Sequence, residues 1–323
     1  MELGFLNSVY YVKTESLLSD DDFNALKRLE KSLFFRYLKT KDYGYGSKYE
    51  ELDEIIAQEL INTQNEINKI LDDTLLTDTF YILHNITNIK IVYKSIKYDT
   101  EITNFDNVSS FNKEAIFQAL KYQNYKLLPE NVIPLFEAIN KIDSSNIQFA
   151  LQEIELLTYR FYEDLINQSK YKKQYRALID YIELEKTISN LITFLRLRKR
   201  NEKISKLEKS LFENKFITKD VWLEIYNKND RDVINKLHIY FNEELTNAIR
   251  VFLDNNDTKQ LDQAITKYQT EQIKQLSYDD NTVGPIVYYL YLKQLETLKV
   301  RELYYAKWKN NYSLRSRWKC LYI

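Results

Sequence analysis

The sequence predicts an all-α protein, and three observations carry that reading. Only four glycines and three prolines occur in 323 residues. Tight turns and hairpins draw on glycine because only glycine takes positive φ at little cost, so strand-rich and doubly wound folds are disfavoured. Between these few breakers the apolar residues recur at helical period, as in Ile86, Ile89, Val92 and Ile96, then Ile188, Leu191, Leu195 and Leu197. With 44% hydrophobic and 29% charged residues, a chain of this length builds a core without a disulfide or metal staple.

Along the chain a helix-start pattern recurs three times: two apolar residues, a capping segment, then another apolar residue. The first copy is Leu17-Leu18-Ser19-Asp20-Asp21-Asp22-Phe23. Ser19 is a good N-cap, Asp22 stands at the capping-box position, and the three aspartates suit the positive end of a helix dipole. A long helix follows, marked by Ile86-Thr87-Asn88-Ile89-Lys90-Ile91-Val92-Tyr93-Lys94. In the second copy, Leu127-Leu128-Pro129-Glu130-Asn131-Val132-Ile133, Pro129 stands at the cap position, although proline suits the first helical turn better. The next long helix, Ile188 to Arg196, aligns without gaps on Ile86 to Lys94. The third copy is Phe216-Ile217-Thr218-Lys219-Asp220-Val221-Trp222, with Thr218 as cap. After it come Ile286 to Leu292, apolar all round and read as a buried helix, and Thr297 to Tyr304, a weaker copy of the long-helix segment. Hydrophobic staples pair Leu18 with Phe23, Leu128 with Ile133 and Ile217 with Trp222, which puts Trp222 in the core. The order repeats at spacings of roughly one hundred residues, longer than solenoid units. It predicts three similar helical subdomains about a common centre, residues 1–110, 111–212 and 213–323, in one body.

The parts that chemistry needs are scarce. The two histidines, His84 and His238, have no His or Cys at ligand spacing. Neither the phosphate-cradling glycine loops nor a nucleophile elbow occurs. Asp20 to Asp22 and Asp72-Asp73 lack the distal acid of a magnesium-binding D-D-x-x-D face. Asp254 to Asp257 opens like an EF-hand loop but places Lys259 at the glycine and Ile265 at the bidentate glutamate. No catalytic residue, metal or cofactor is expected. A single cysteine, Cys320, excludes an internal disulfide and suits a reducing compartment. No run approaches the roughly 20 apolar residues of a membrane span, and Met1 to Asn7 is unlike a signal peptide. The expectation is a soluble cytoplasmic chain, compatible with a seat on a membrane complex. Forty-six basic against 47 acidic residues argue against a nucleic-acid partner. Two basic clusters, Arg196-x-Arg198-Lys199-Arg200 and Arg315-x-Arg317-x-Lys319, read either as a solvated helix end and tail or as docking points for an acidic protein surface.

At these repeated segments the chain resembles the C subunits of the vacuolar/archaeal-type (V-type/A-type) rotary ATPases, whose eukaryotic counterparts are the d subunits. The resemblance rests on Leu38-x-Thr40-x-x-Tyr43, on Asn88-Ile89-Lys90, and on the helix from Asn190 to Arg200. It continues through Gly284-Pro285-Ile286, Lys293-x-x-Glu296-x-x-x-x-Arg301 and Lys307, to the tail Leu314-Arg315-x-Arg317-Trp318. It spans nearly the whole chain. Trp308-Lys309-Asn310-Asn311 stands where the family usually has a glycine-containing turn.

The resemblance implies a non-catalytic part of the machine, with no cofactor and no small-molecule substrate. Its three pseudo-repeated subdomains would form a funnel on the cytoplasmic face of the membrane rotor ring. The central stalk would plug into the funnel, so that ATP hydrolysis drives proton or sodium transport, or ion flow drives ATP synthesis. Partner-binding is expected of cations on the three repeated helices: Lys90 and Lys94, Arg196 and Arg198, Arg301 and Lys307. The competing reading is an all-α scaffold or adaptor with no ATPase link.

Overall fold

A computed structural model describes residues 3–143 and 145–308, which contain sixteen α-helices, one 3-10 turn and no strand. The first helices are α1 (Leu3–Glu15), α2 (Asp20–Arg28), α3 (Lys31–Thr40), α4 (Leu52–Leu71), α5 (Leu75–Phe80) and α6 (Ile82–Tyr98). Ser19 opens α2 with a complete capping box: its hydroxyl accepts from the Asp22 amide at 3.2 Å, and Asp22 accepts from the Ser19 amide at 2.8 Å. The ammonium of Lys41 and the hydroxyl of Tyr37 also reach Asp22, and these two groups hold its carboxyl well below the usual range.

The middle of the chain forms α7 (Lys113–Tyr122), α8 (Ile133–Ile139), α9 (Ile147–Gln168) and α10 (Arg176–Lys199). Pro129 precedes the 3-10 turn Glu130–Val132, and Pro134 takes the first turn of α8. The last third forms α11 (Ile204–Ser210), α12 (Lys219–Tyr226), α13 (Asp230–Leu237), α14 (Glu243–Asn255), α15 (Thr258–Leu276) and α16 (Gly284–Trp308). Thr218 stands at the N-cap of α12 without a side-chain cap bond, whereas Asn229, Asn242 and Asp257 cap the next three helices. With glycine scarce, aspartate and asparagine end helices at positive φ: Asp72 (50°), Asp99 (49°) and Asn256 (63°). These side chains tolerate the left-handed region better than most.

Two apolar clusters hold these helices. The larger is threaded by α10 and α16 and includes side chains of α1 to α6 and α11 to α15. The smaller is built from α7, α8, the second half of α6 and the start of α9. The stretch from Ile286 to Leu292 agrees with the buried-helix reading, since Ile286, Val287, Leu290 and Tyr291 are each fully enclosed. Trp222 is fully buried too, its ring 5.3 Å from that of Phe194. The start of α16 presses on the end of α15 so closely that a Cβ at Gly284 would lie 1.8 Å from the Leu276 carbonyl oxygen. Only glycine fits there.

One polar arrangement occurs twice. Asn88 of α6 donates to the Asp106 carbonyl at 2.7 Å and accepts from the Asp106 amide at 2.9 Å. Asn190 of α10, its counterpart in the gapless alignment, does the same with Phe212, at 3.0 Å and 2.8 Å. Both asparagines are fully buried, and each clasps the chain that runs on from its own helix.

This packing sets the expected cost of two substitutions. Trp222→Ala opens a core cavity and lowers the unfolding free energy by about 3 kcal/mol, the low end for a large aromatic because its indole N–H has no partner among the described residues to lose. Asn190→Ala leaves the Phe212 amide and carbonyl buried and unpaired, at a cost of about 2 kcal/mol or more. Denaturant unfolding monitored by circular dichroism checks both.

Candidate functional site

The six cations singled out in the sequence lie on the C-terminal halves of α6, α10 and α16, and most of them are engaged within the chain. Lys90 pairs with Glu155 of α9, and both side chains are largely buried. Lys94, one turn on, is half-buried, and burial together with the Lys90 charge lowers its pKa. Arg196 is half-buried in the last turn of α10. Arg301 reaches Asp53 at the start of α4, at 3.2 Å.

Arg198 and Lys307 perform matching tasks. Arg198 donates to the carbonyls of Tyr226 and Lys228, at the end of α12, and pairs with Asp230 at 2.7 Å. Lys307 donates to the carbonyls of Lys27 and Leu29, at the end of α2. The last carbonyls of a helix have no partner within it, so a cation there supplies both hydrogen bonds and a favourable charge. The helices so capped are the two that begin at the repeated start pattern with Ser19 and Thr218. Arg198 is therefore not the solvated helix end that one reading of the sequence gave it.

The same two long helices hold the linkers that lead into α2 and α12. Glu296 of α16 accepts from the Leu18 amide at 2.6 Å, and Glu183 of α10 accepts from the Lys215 amide at 2.7 Å. Each carboxylate belongs to a buried cluster around a lysine. Lys293 meets Glu296 and Glu59 of α4, and Lys186 meets Glu183 and Glu163 of α9. A tyrosine ring flanks each ammonium, Tyr43 at 5.5 Å and Tyr159 at 5.8 Å. Sequence reading missed both clusters. The spacing Glu183-x-x-Lys186 and Lys293-x-x-Glu296 puts each own-helix pair on one face, but it reads equally well as a surface ion pair.

His84 bonds Asp106 at 2.6 Å, and His238 closes α13 at its C-cap. Burial would raise the Asp106 carboxyl, but His84 and the Val108 amide outweigh it and hold it low. No group of three or more His, Cys, Asp or Glu fit to hold a metal occurs among the described residues. An open groove of about 230 Å³ lies between α9 and α11, lined by Phe149, Gln152, Lys206 and Lys209 among others. The second basic cluster, Arg315 to Lys319, and Cys320 lie outside the described residues.

Arg198→Ala removes the cap on α12 and lowers stability by about 1–2 kcal/mol, as losses of helix caps do, with the change read in thermal melting. An unchanged melting curve would show that the cap carries no stability.

Comparison with curated proteins gives no match. A family model does match, that of the ATP synthase (C/AC39) subunit, over residues 6–311. The match takes in α2 to α16, with both buried lysine clusters and all six cations, and by it the chain belongs to the ATP synthase (C/AC39) subunit family.

Proposed function

We propose that this chain is a non-catalytic central-stalk component of a V/A-type rotary ATPase, a socket that joins the rotating stalk to the membrane rotor ring. The observation that carries the reading is the family match across nearly the whole chain. In this reading the protein sits on the cytoplasmic face of the membrane and is peripheral to it. No helix among the described residues is long and apolar enough to cross a bilayer. The complex transports protons or sodium ions at the expense of ATP, or makes ATP from their flow.

The socket is proposed to be a funnel of three subdomains, residues 1–110, 111–212 and 213–323. Two observations support it: the paired asparagine clasps, and the matching grips of α10 on α12 and α16 on α2. The second grip joins the last part of the chain to the first, as a closed ring of similar units requires. The role asks for stiffness and shape rather than for shifted catalytic groups. The proposed partner contacts centre on Lys94, whose charge is partly desolvated beside Lys90. An acidic side chain from a neighbouring protein of the complex would compensate it. Lys90, Arg196, Arg198, Arg301 and Lys307 are proposed to hold or extend the same contact surface.

Affinity capture with the full chain as bait, from its own cells in mild detergent, tests the reading by mass spectrometry. Stalk and rotor-ring proteins are expected among the partners, with recovery reduced several-fold by Lys94→Glu while melting is unchanged. Capture of other partners without any ATPase component would replace the socket with a helical scaffold or adaptor.

A further inference from the structure

We propose that the Lys293–Glu59–Glu296 cluster binds one proton, and that its uptake removes the cluster's surplus negative charge and stabilises the fold. This inference does not depend on which partners the chain binds. The ammonium lies 2.8 Å from Glu59 Oε1 and 2.7 Å from Glu296 Oε2, and no side chain of the three is more than 14% exposed. One cation for two carboxylates leaves a surplus negative charge out of water, which is costly unless a proton or a further cation offsets it.

Among the described residues the surroundings bring no second cation into contact with the two carboxylates. Tyr289 on α16, Tyr10 on α1, Tyr43 on the α3–α4 loop and Tyr81 before α6 face this region, and burial pushes all four hydroxyls upward, so they stay neutral. Glu66 of α4 lies nearby but is paired with Lys13 of α1 at 2.7 Å, and Arg301 is engaged with Asp53. The hydroxyls of Tyr10, Tyr43 and Tyr81 have no hydrogen-bond partner among the described residues.

The oxygens differ in what they already do. Glu59 accepts from Lys293 through Oε1 and from the Gly44 amide through Oε2, at 2.8 Å each. Glu296 Oε1 accepts from the Leu18 amide, while Oε2 faces the ammonium at 2.7 Å. A proton on the Glu296 carboxyl removes the surplus charge while its carbonyl oxygen can still accept from the Leu18 amide. Burial pushes the Glu296 carboxyl up against the opposing pull of Lys293 and the Leu18 amide, and the two carboxylates keep Lys293 charged although burial disfavours it. The Lys186 cluster has the same make-up, but its Glu163 is 21% exposed and so open to solvent.

The direction of the effect is fixed by linkage. A carboxyl raised in the folded state makes that state hold more protons than the unfolded chain, so stability falls as pH rises through the folded-state value. Below the ordinary glutamate range both states are protonated and the dependence vanishes.

The test uses the full chain at fixed salt, as wild type and as Glu296→Gln, between about pH 5 and pH 8. Infrared difference spectra are expected to show a protonated-carboxyl band that grows on acidification and is weaker in the variant by one carboxyl's share, since the raised carboxyls of Asp78, Asp180 and Glu302 absorb in both proteins. The wild-type unfolding midpoint is expected to fall with rising pH more steeply than the variant's. A band of equal strength in Glu296→Gln, or parallel midpoint curves, would overturn the proposal. Should that variant not fold, ¹³C-glutamate spectra of the wild type and of Glu302→Gln replace it, because partial burial raises the Glu302 carboxyl as well. A resonance titrating above the ordinary range in both proteins supports the site, and its absence from Glu302→Gln overturns it.

Discussion

The enclosure of α10 is the constraint on which the rest of the structure depends. From Ala177 to Leu197 it is covered on nearly every side, yet it carries Glu183, Glu185, Lys186 and Asn190. Polar groups taken out of water need partners, and here they are drawn from three different elements. Glu163 comes from α9, Phe212 and Lys215 from the linker before α12, and Gln269 from α15. Apolar contact alone would let these neighbours slide. Directed bonds fix where each one sits along the helix.

How much of this was legible in the sequence depends on how local the cause is. The capping box at Ser19 and the burial of Trp222 are set by residues a few positions apart, and both are found where expected. The all-α class follows from the same kind of evidence. The alignment of Asn88 with Asn190 was visible, but their shared task was not, because it is completed by backbone 18 and 22 residues away. Cations were harder still. Arg301 finds Asp53 across 248 positions of sequence, and no periodicity announces such a pairing.

The buried lysine clusters show why polarity pattern misleads in the middle of a large helical protein. A Glu-x-x-Lys spacing on a helix usually marks a solvated face. In α10 and α16 it marks the interior, because other helices close over it. The charge then serves to position linkers, through carboxylates that accept backbone N–H groups, and α16 does this for the beginning of the chain as α10 does for its last third.

Two helices belong to both apolar clusters. Ile82 and Ile86 of α6 lie in the larger and Ile89 and Val92 in the smaller, while α9 enters the smaller at Ile154 and the larger at Tyr159 and Tyr162. The Lys90–Glu155 pair braces one against the other between these anchorages. Mechanically this is a pair of cross-tied beams, clamped at both ends. A single rod would let the smaller cluster swivel about its axis, whereas two tied rods convert any such rotation into stretching and bending of hydrogen-bonded helix. Load applied to one cluster is thereby delivered to the other with little lost motion.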